Sequence, residues 1–236
     1  MPERAVGASV GHGDMHEEDT MTSNSSTSVA RAAIVAIAPI SLLVAVIWHP
    51  YLPGRLPDHA AIAEAVADDT TRWALAHLAT AVASGVIVLA FIAIRGFLRE
   101  AGDTSLSAVG LGFIVMGSLS YVMLPGMEFA SLAALESGAD PEAAQAALDD
   151  WFVPVLVIGA LLFAAGIVCV AMAVRRHAGL GPTLTWIVVL ALVVMAASRF
   201  VPFTAVQFYV QSAAALIALW PLAWAIKEQR RVPSPA

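Results

Sequence analysis

His49, His77, Glu128, Arg199, Gln207 and Gln211 are polar side chains set within or at the ends of long apolar runs. Groups of this kind are costly to bury in hydrocarbon, and inside a membrane segment they mark a ligand pathway, a proton relay or a bond between helices. His49 follows the run that ends in Trp48, and His77 lies about 8 Å of helix inside the run that opens at Arg72. Glu128 follows the Pro125-Gly126 pair, and Arg199 closes a later run. Thr204, Gln207 and Gln211, at i, i+3 and i+7, share one face of an α-helix. Together these residues outline a cavity open to one side of a membrane, lined by imidazole, carboxylate and amide.

Imidazole nitrogens and a carboxylate are ligands for zinc or a similar divalent ion, and the same groups relay protons near neutral pH. His77 and Glu128 are the metal-ligand candidates. No HxxxH or HExxH puts two of them on one helix, so their convergence depends on how separate helices pack. The plainer expectation is structural: an interfacial His49, a His77 bonded across helices, a Glu128 paired with Arg199, and glutamines bonded between helices. His12 and His16, in GHGDMHEED, are expected to belong to a solvated tail.

The elements that must position these groups are read from hydropathy. Hydrophobic residues make up 59% of the 236 and charged residues 13%, about half the charged share of an average soluble domain. The runs are close to the roughly 20 residues that cross about 30 Å of hydrocarbon. Six spans are expected, at about 31-48, 72-98, 107-125, 152-174, 184-199 and 203-226. They form one transmembrane domain over 31-228, between a polar, disordered tail at 1-30 and a short tail at 229-236. Met21 would also serve as a start. The expected fold class is therefore an all-α integral membrane protein, a six-transmembrane-helix bundle. Its expected packing residues are small: Ala76, Thr80 and Ser84 on the second span, or Ala108 and Gly112 on the third.

Two short interfacial helices are expected beside the spans, in DHAAIAEAVAD and in DPEAAQAALDD, each opened by an aspartate that can cap it. Each follows an LPG, at 52-54 and at 124-126, and each precedes a tryptophan, which suggests an internal repeat. Pro125 is expected to kink or end the third span. Orientation follows the basic residues. With both termini cytoplasmic, Arg4, Arg31, Arg95, Arg99, Arg175, Arg176, Lys227, Arg230 and Arg231 lie inside, and only Arg55, Arg72 and Arg199 lie outside. The interfacial helices and the polar cluster then face outward, with Trp48, Trp73 and Trp151 in an outer aromatic belt and Trp186, Trp220 and Trp224 in an inner one.

Several functions are excluded. A net charge of -6 with no basic cluster argues against nucleic acid, and the single cysteine, Cys169, supports neither a disulfide framework nor a CxxC site. The paired axial histidines of a diheme cytochrome, the HExxH of a membrane metalloprotease and a Walker lysine are missing from the sequence, and no apolar run holds a GxSxG nucleophile. The expectation is a non-enzymatic, multi-pass protein of the cell membrane, acting as a scaffold, an envelope component or a binder of a membrane-protein partner or a second copy, with no cofactor. The alternative is a small transporter or sensor for a cation or proton, in which a divalent metal occupies the His/Glu/Gln cavity.

Overall fold

The computed structural model describes residues 14–229, with side chains described from residue 27 onward. Among the described residues every regular element is helical: α1 (Asp14–Trp48), α2 (His59–Asp68), α3 (Thr70–Glu100), α4 (Leu106–Glu136), α5 (Pro141–Ala146), α6 (Asp149–His177), α7 (Pro182–Ala197) and α8 (Gln211–Glu228). A 3-10 turn, Ser198–Phe200, ends α7, and a π-helical segment, Ala205–Val210, leads into α8. Among the described residues, six helical stretches are long and apolar enough to cross a membrane: Thr27–Trp48, Thr70–Glu100, Leu106–Glu136, Asp149–His177, Pro182–Phe200 and Ala205–Glu228. Their outward faces carry large apolar side chains, among them Val82, Trp151 and Leu190, each more than 60% exposed. Such a surface is solvated by lipid tails rather than water, and by helix length and composition this is a multi-pass membrane protein.

The expected tail at 1-30 falls partly outside the described residues, as do His12, the side chain of His16 and residues 230-236. From Asp14 the backbone is already helical. Elsewhere the helices overrun the apolar windows, and the starts of α3 and α4 are held by aspartates. Asp69 accepts from Arg72 N at the start of α3. Asp103 accepts from both the backbone N–H and the hydroxyl of Ser107 at the start of α4. Burial alone would raise the Asp103 carboxyl, but the two Ser107 hydrogen bonds outweigh it and hold the group below its ordinary value.

The bundle is held by close backbone approach. The most extensive helix pair is α4 with α6, where glycines seven residues apart on each helix face one another. A Cβ on Gly117 would sit 2.5 Å from Phe163 N, one on Gly110 2.9 Å from Gly166 O, and one on Gly166 2.7 Å from Gly110 O. Lipid offers helices no hydrophobic drive to associate, so contact between small residues supplies the attraction. The small-residue stripe of α4 is thus Gly110 and Gly117, not the expected Ala108 and Gly112, whose Gly112 is exposed with nothing within 4 Å. On α3, Ala76 and Ser84 are buried as expected.

Pro125 does not end its span. It lies inside α4, which runs unbroken to Glu136 and so carries Glu128 on the same rigid rod. The two LPG segments therefore differ, the first being loop and the second helix, although the helices after them are alike. Asp58 caps α2 through Ala61 N and Asp140 caps α5 through Glu142 N and Ala143 N, and α2 packs against α5. These two helices roof one end of the bundle.

Candidate functional site: a His-His-Glu cluster under the helical roof

Beneath that roof, chain ends from five elements meet. Arg72 Nε donates to the carbonyl of Trp48 at 2.9 Å, tying the start of α3 to the last turn of α1. The loop after α1 is pinned to the entry of the last span: Leu56 N donates to Pro202 O at 2.9 Å, and the Thr204 hydroxyl donates to Leu52 O at 2.8 Å. These bonds fix His49, the first residue past α1, against α3. Its ring centroid is 4.7 Å from that of His77, and the edge of Phe208 closes its other side at 4.9 Å.

His77 is buried one turn below Trp73. Its Nδ1–H donates to the Trp73 carbonyl at 2.7 Å, and its Nε2 faces Glu128 Oε2 at 2.6 Å. Because Nδ1 is already the donor to a carbonyl, the hydrogen bond to Glu128 is made through Nε2. His49 is arranged the same way: Nδ1–H donates to Pro50 O at 2.8 Å. Burial first, and then the neighbouring His77, push the His49 pKa down to about 4, so its Nε2 carries a lone pair at neutral pH. The ligand atoms of His49, His77 and Glu128 all lie within 4.8 Å of one another. A ring nitrogen anchored on a backbone carbonyl is the usual way a metal-binding imidazole is oriented, since it sets the tautomer and aims the other nitrogen at the ion. A tetrahedral ion with ligands at about 2.0–2.1 Å separates them by about 3.3 Å. Loading it therefore means opening the 2.6 Å His77–Glu128 contact, drawing together ligand atoms that stand as much as 4.8 Å apart, and displacing the proton of that hydrogen bond.

A cavity of about 100 Å³ adjoins the cluster, lined by His49, His77, Glu128 and Gln207 among the expected residues, with Tyr121 and Gln145 added. The remaining wall is mainly apolar. Tyr121 was legible in principle, being seven residues before Glu128 on one face of α4. Gln145 was not, because its position depends on α5 folding back: it is buried, and its Oε1 accepts from the Ser131 hydroxyl at 2.9 Å.

Three expectations are corrected. Arg199 neither lines the cavity nor pairs with Glu128. It is 5% exposed, with its guanidinium carbon 3.6 Å from the Phe163 ring centroid and 4.2 Å from that of Tyr121. Its Nε and Nη1 have no hydrogen-bond partner among the described residues. Glu128 is instead taken by His77, which α3 presents directly opposite. Gln211 is buried but lies outside the cavity lining, and Thr204 faces the loop at Leu52. The assumed single stripe fails because Ala205–Val210 is π-helical, and its wider turn breaks the 3.6-residue register. Finally, Trp73 is not at a lipid interface. It is fully buried against Ile62, Val66 and Leu132, with its ring centroid 4.2 Å from that of His77 and the two rings tilted by 36°, because α2 folds over it.

No protein-family model matches the chain, and neither a curated protein nor a solved structure resembles it significantly. The function rests on the site alone.

Proposed function

We propose that this protein is a non-enzymatic, six-span transporter or sensor of a divalent cation of the zinc class, held by His49, His77 and Glu128. The observation that carries the reading is the convergence of three ligand atoms within 4.8 Å from the end of α1, from α3 and from α4, with Nδ1 of both imidazoles anchored on a carbonyl. Two nitrogens and a carboxylate suit zinc better than calcium or magnesium, which prefer all-oxygen shells. Three protein ligands leave a further position for water or an exchanging group, as a site that loads and releases its ion requires. The basic residues of the opposite end support a topology with both termini cytoplasmic and the cluster facing outward in the cell membrane.

A scaffold role keeps one observation in its favour, since the 2.6 Å His77–Glu128 contact already satisfies both groups as a bridge between α3 and α4. Titration of zinc into purified, chelator-stripped protein separates the two. Saturable binding of one ion, weakened at least 100-fold by His77→Ala or Glu128→Gln, supports the metal site. Binding that those variants leave unchanged refutes it and returns the cluster to a structural bridge. Reporter fusions at the two termini check the topology.

A further inference from the structure

At the opposite, basic end of the bundle, α1 and α3 enclose a groove of about 600 Å³ that is separate from the cluster. Along α3 it is lined by Leu89, Ile92, Arg95 and Arg99, one helical face, and along α1 by Arg31 and Ile34. The polar and apolar parts are segregated. The three arginines stand at the rim, and Leu89 and Ile92, 50% and 48% exposed, lie deeper toward the middle of the span and face lipid. Arg31 donates to Glu100 at 2.5 Å and lies flat over Gly96, where a Cβ would come 3.4 Å from its guanidinium carbon. Arg95 and Arg99 have no carboxylate partner among the described residues. Three guanidinium groups thus face one carboxylate at the mouth of a groove that is open to hydrocarbon.

We propose that this groove binds an anionic phospholipid of the adjacent leaflet, its phosphate diester held by Arg95 and Arg99 beside the tethered Arg31 and its acyl chains laid along Ile34, Leu89 and Ile92. Charge complementarity selects the occupant. Planar guanidinium groups match phosphate oxygens in pairs, and a lipid supplies at once the anion for the rim and the chain for the apolar floor. Arginines gather at the cytoplasmic ends of spans in any case, so the proposal turns on this groove and not on the charge of that end as a whole. Arg175 and Arg176 provide the comparison: they lie at the same end, exposed on α6, and do not line the groove.

The test is retention of lipid by the full-length protein in mild detergent, read by native mass spectrometry with phosphatidylglycerol and phosphatidylcholine in competition. Wild type is expected to keep one phosphatidylglycerol in preference to phosphatidylcholine. Arg95→Gln with Arg99→Gln should lower that affinity about 30-fold, and Gly96→Leu should displace the lipid without removing a charge. Arg175→Gln with Arg176→Gln should leave retention unchanged, and thermal unfolding confirms that each variant is folded. Equal retention of the two lipids by wild type, or an equal loss in the Arg175/Arg176 pair, overturns the proposal. Should Gly96→Leu fail to fold, the comparison of the two arginine pairs decides alone.

Discussion

Gly117 and Gly112 lie little more than a turn apart on α4, and alanine at the two positions is expected to have opposite effects. At Gly117 the new methyl would meet backbone on three sides: Phe163 N at 2.5 Å, Gly159 O at 2.8 Å and Phe163 Cα at 2.9 Å. Ordinary carbon contacts lie at about 3.5–4.0 Å, so α4 and α6 must part locally by about 1 Å. None of the three atoms is a side-chain tip that can swing aside. A radial gap of that size forfeits about a quarter to a half of each dispersion contact across the helix pair, and overpacking of this kind costs about 1–3 kcal/mol. At Gly112 nothing lies within 4 Å, so only the better helix propensity of alanine remains, worth up to about 1 kcal/mol. The propensity gain is common to both variants, and the difference between them isolates the packing cost. Reversible unfolding in mixed micelles titrated with SDS measures it. Gly117→Ala should unfold about 1–3 kcal/mol below Gly112→Ala. Equal midpoints would refute the close backbone contact of α4 and α6, and with it the rod that carries Glu128 to His77.

In metal-free protein, a double-mutant cycle with His77→Ala and Glu128→Gln should give a coupling of about 1.5 kcal/mol or more, as befits a buried charge-assisted bond; a coupling near zero in the unfolding assay removes the pair. Arg199→Met is expected to leave the protein at least as stable as wild type, because it replaces a buried cation with two unmet donors by an apolar chain of similar length. A clear loss in the same assay means that the Tyr121 and Phe163 rings compensate the charge. Asp103→Ala should cost about 1–2 kcal/mol at neutral pH through the lost Ser107 cap. The Asp103 carboxyl is held below its ordinary value of 3.8 in the folded protein, so its contribution is complete above that pH and disappears as pH falls through the folded-state value. The difference between wild type and Asp103→Ala should therefore shrink in acid, as unfolding measured from pH 6 down to pH 3 would show.

Much of the architecture was written in the order of the residues. Apolar runs of spanning length must become helices in a bilayer, since no other segment satisfies its own backbone there, and the six spans could be drawn to within a few residues except at the end of the third, where Pro125 was expected to stop a helix that runs on to Glu136. Asp58 and Asp140 marked the starts of the two roof helices through purely local hydrogen bonding. His77 and Glu128 were visible because a polar group in an apolar run is conspicuous whatever it touches. Their partner was not. Pairing with Arg199 was the simplest choice by charge, but which of two cations meets a carboxylate depends on the rotation of each helix about its axis, and that is set by small-residue contacts such as Gly117 against Gly159 and Phe163. The same limit hid Trp73 beneath α2, and it placed Gln207 in the cavity but not Gln211, where one π-helical turn altered the register. The residues alone therefore determined that helices span and where polar atoms interrupt them. The tertiary structure decided that His49, His77 and Glu128 meet, because donor atoms on separate helices converge only when the packing of all the helices fixes the azimuth of each.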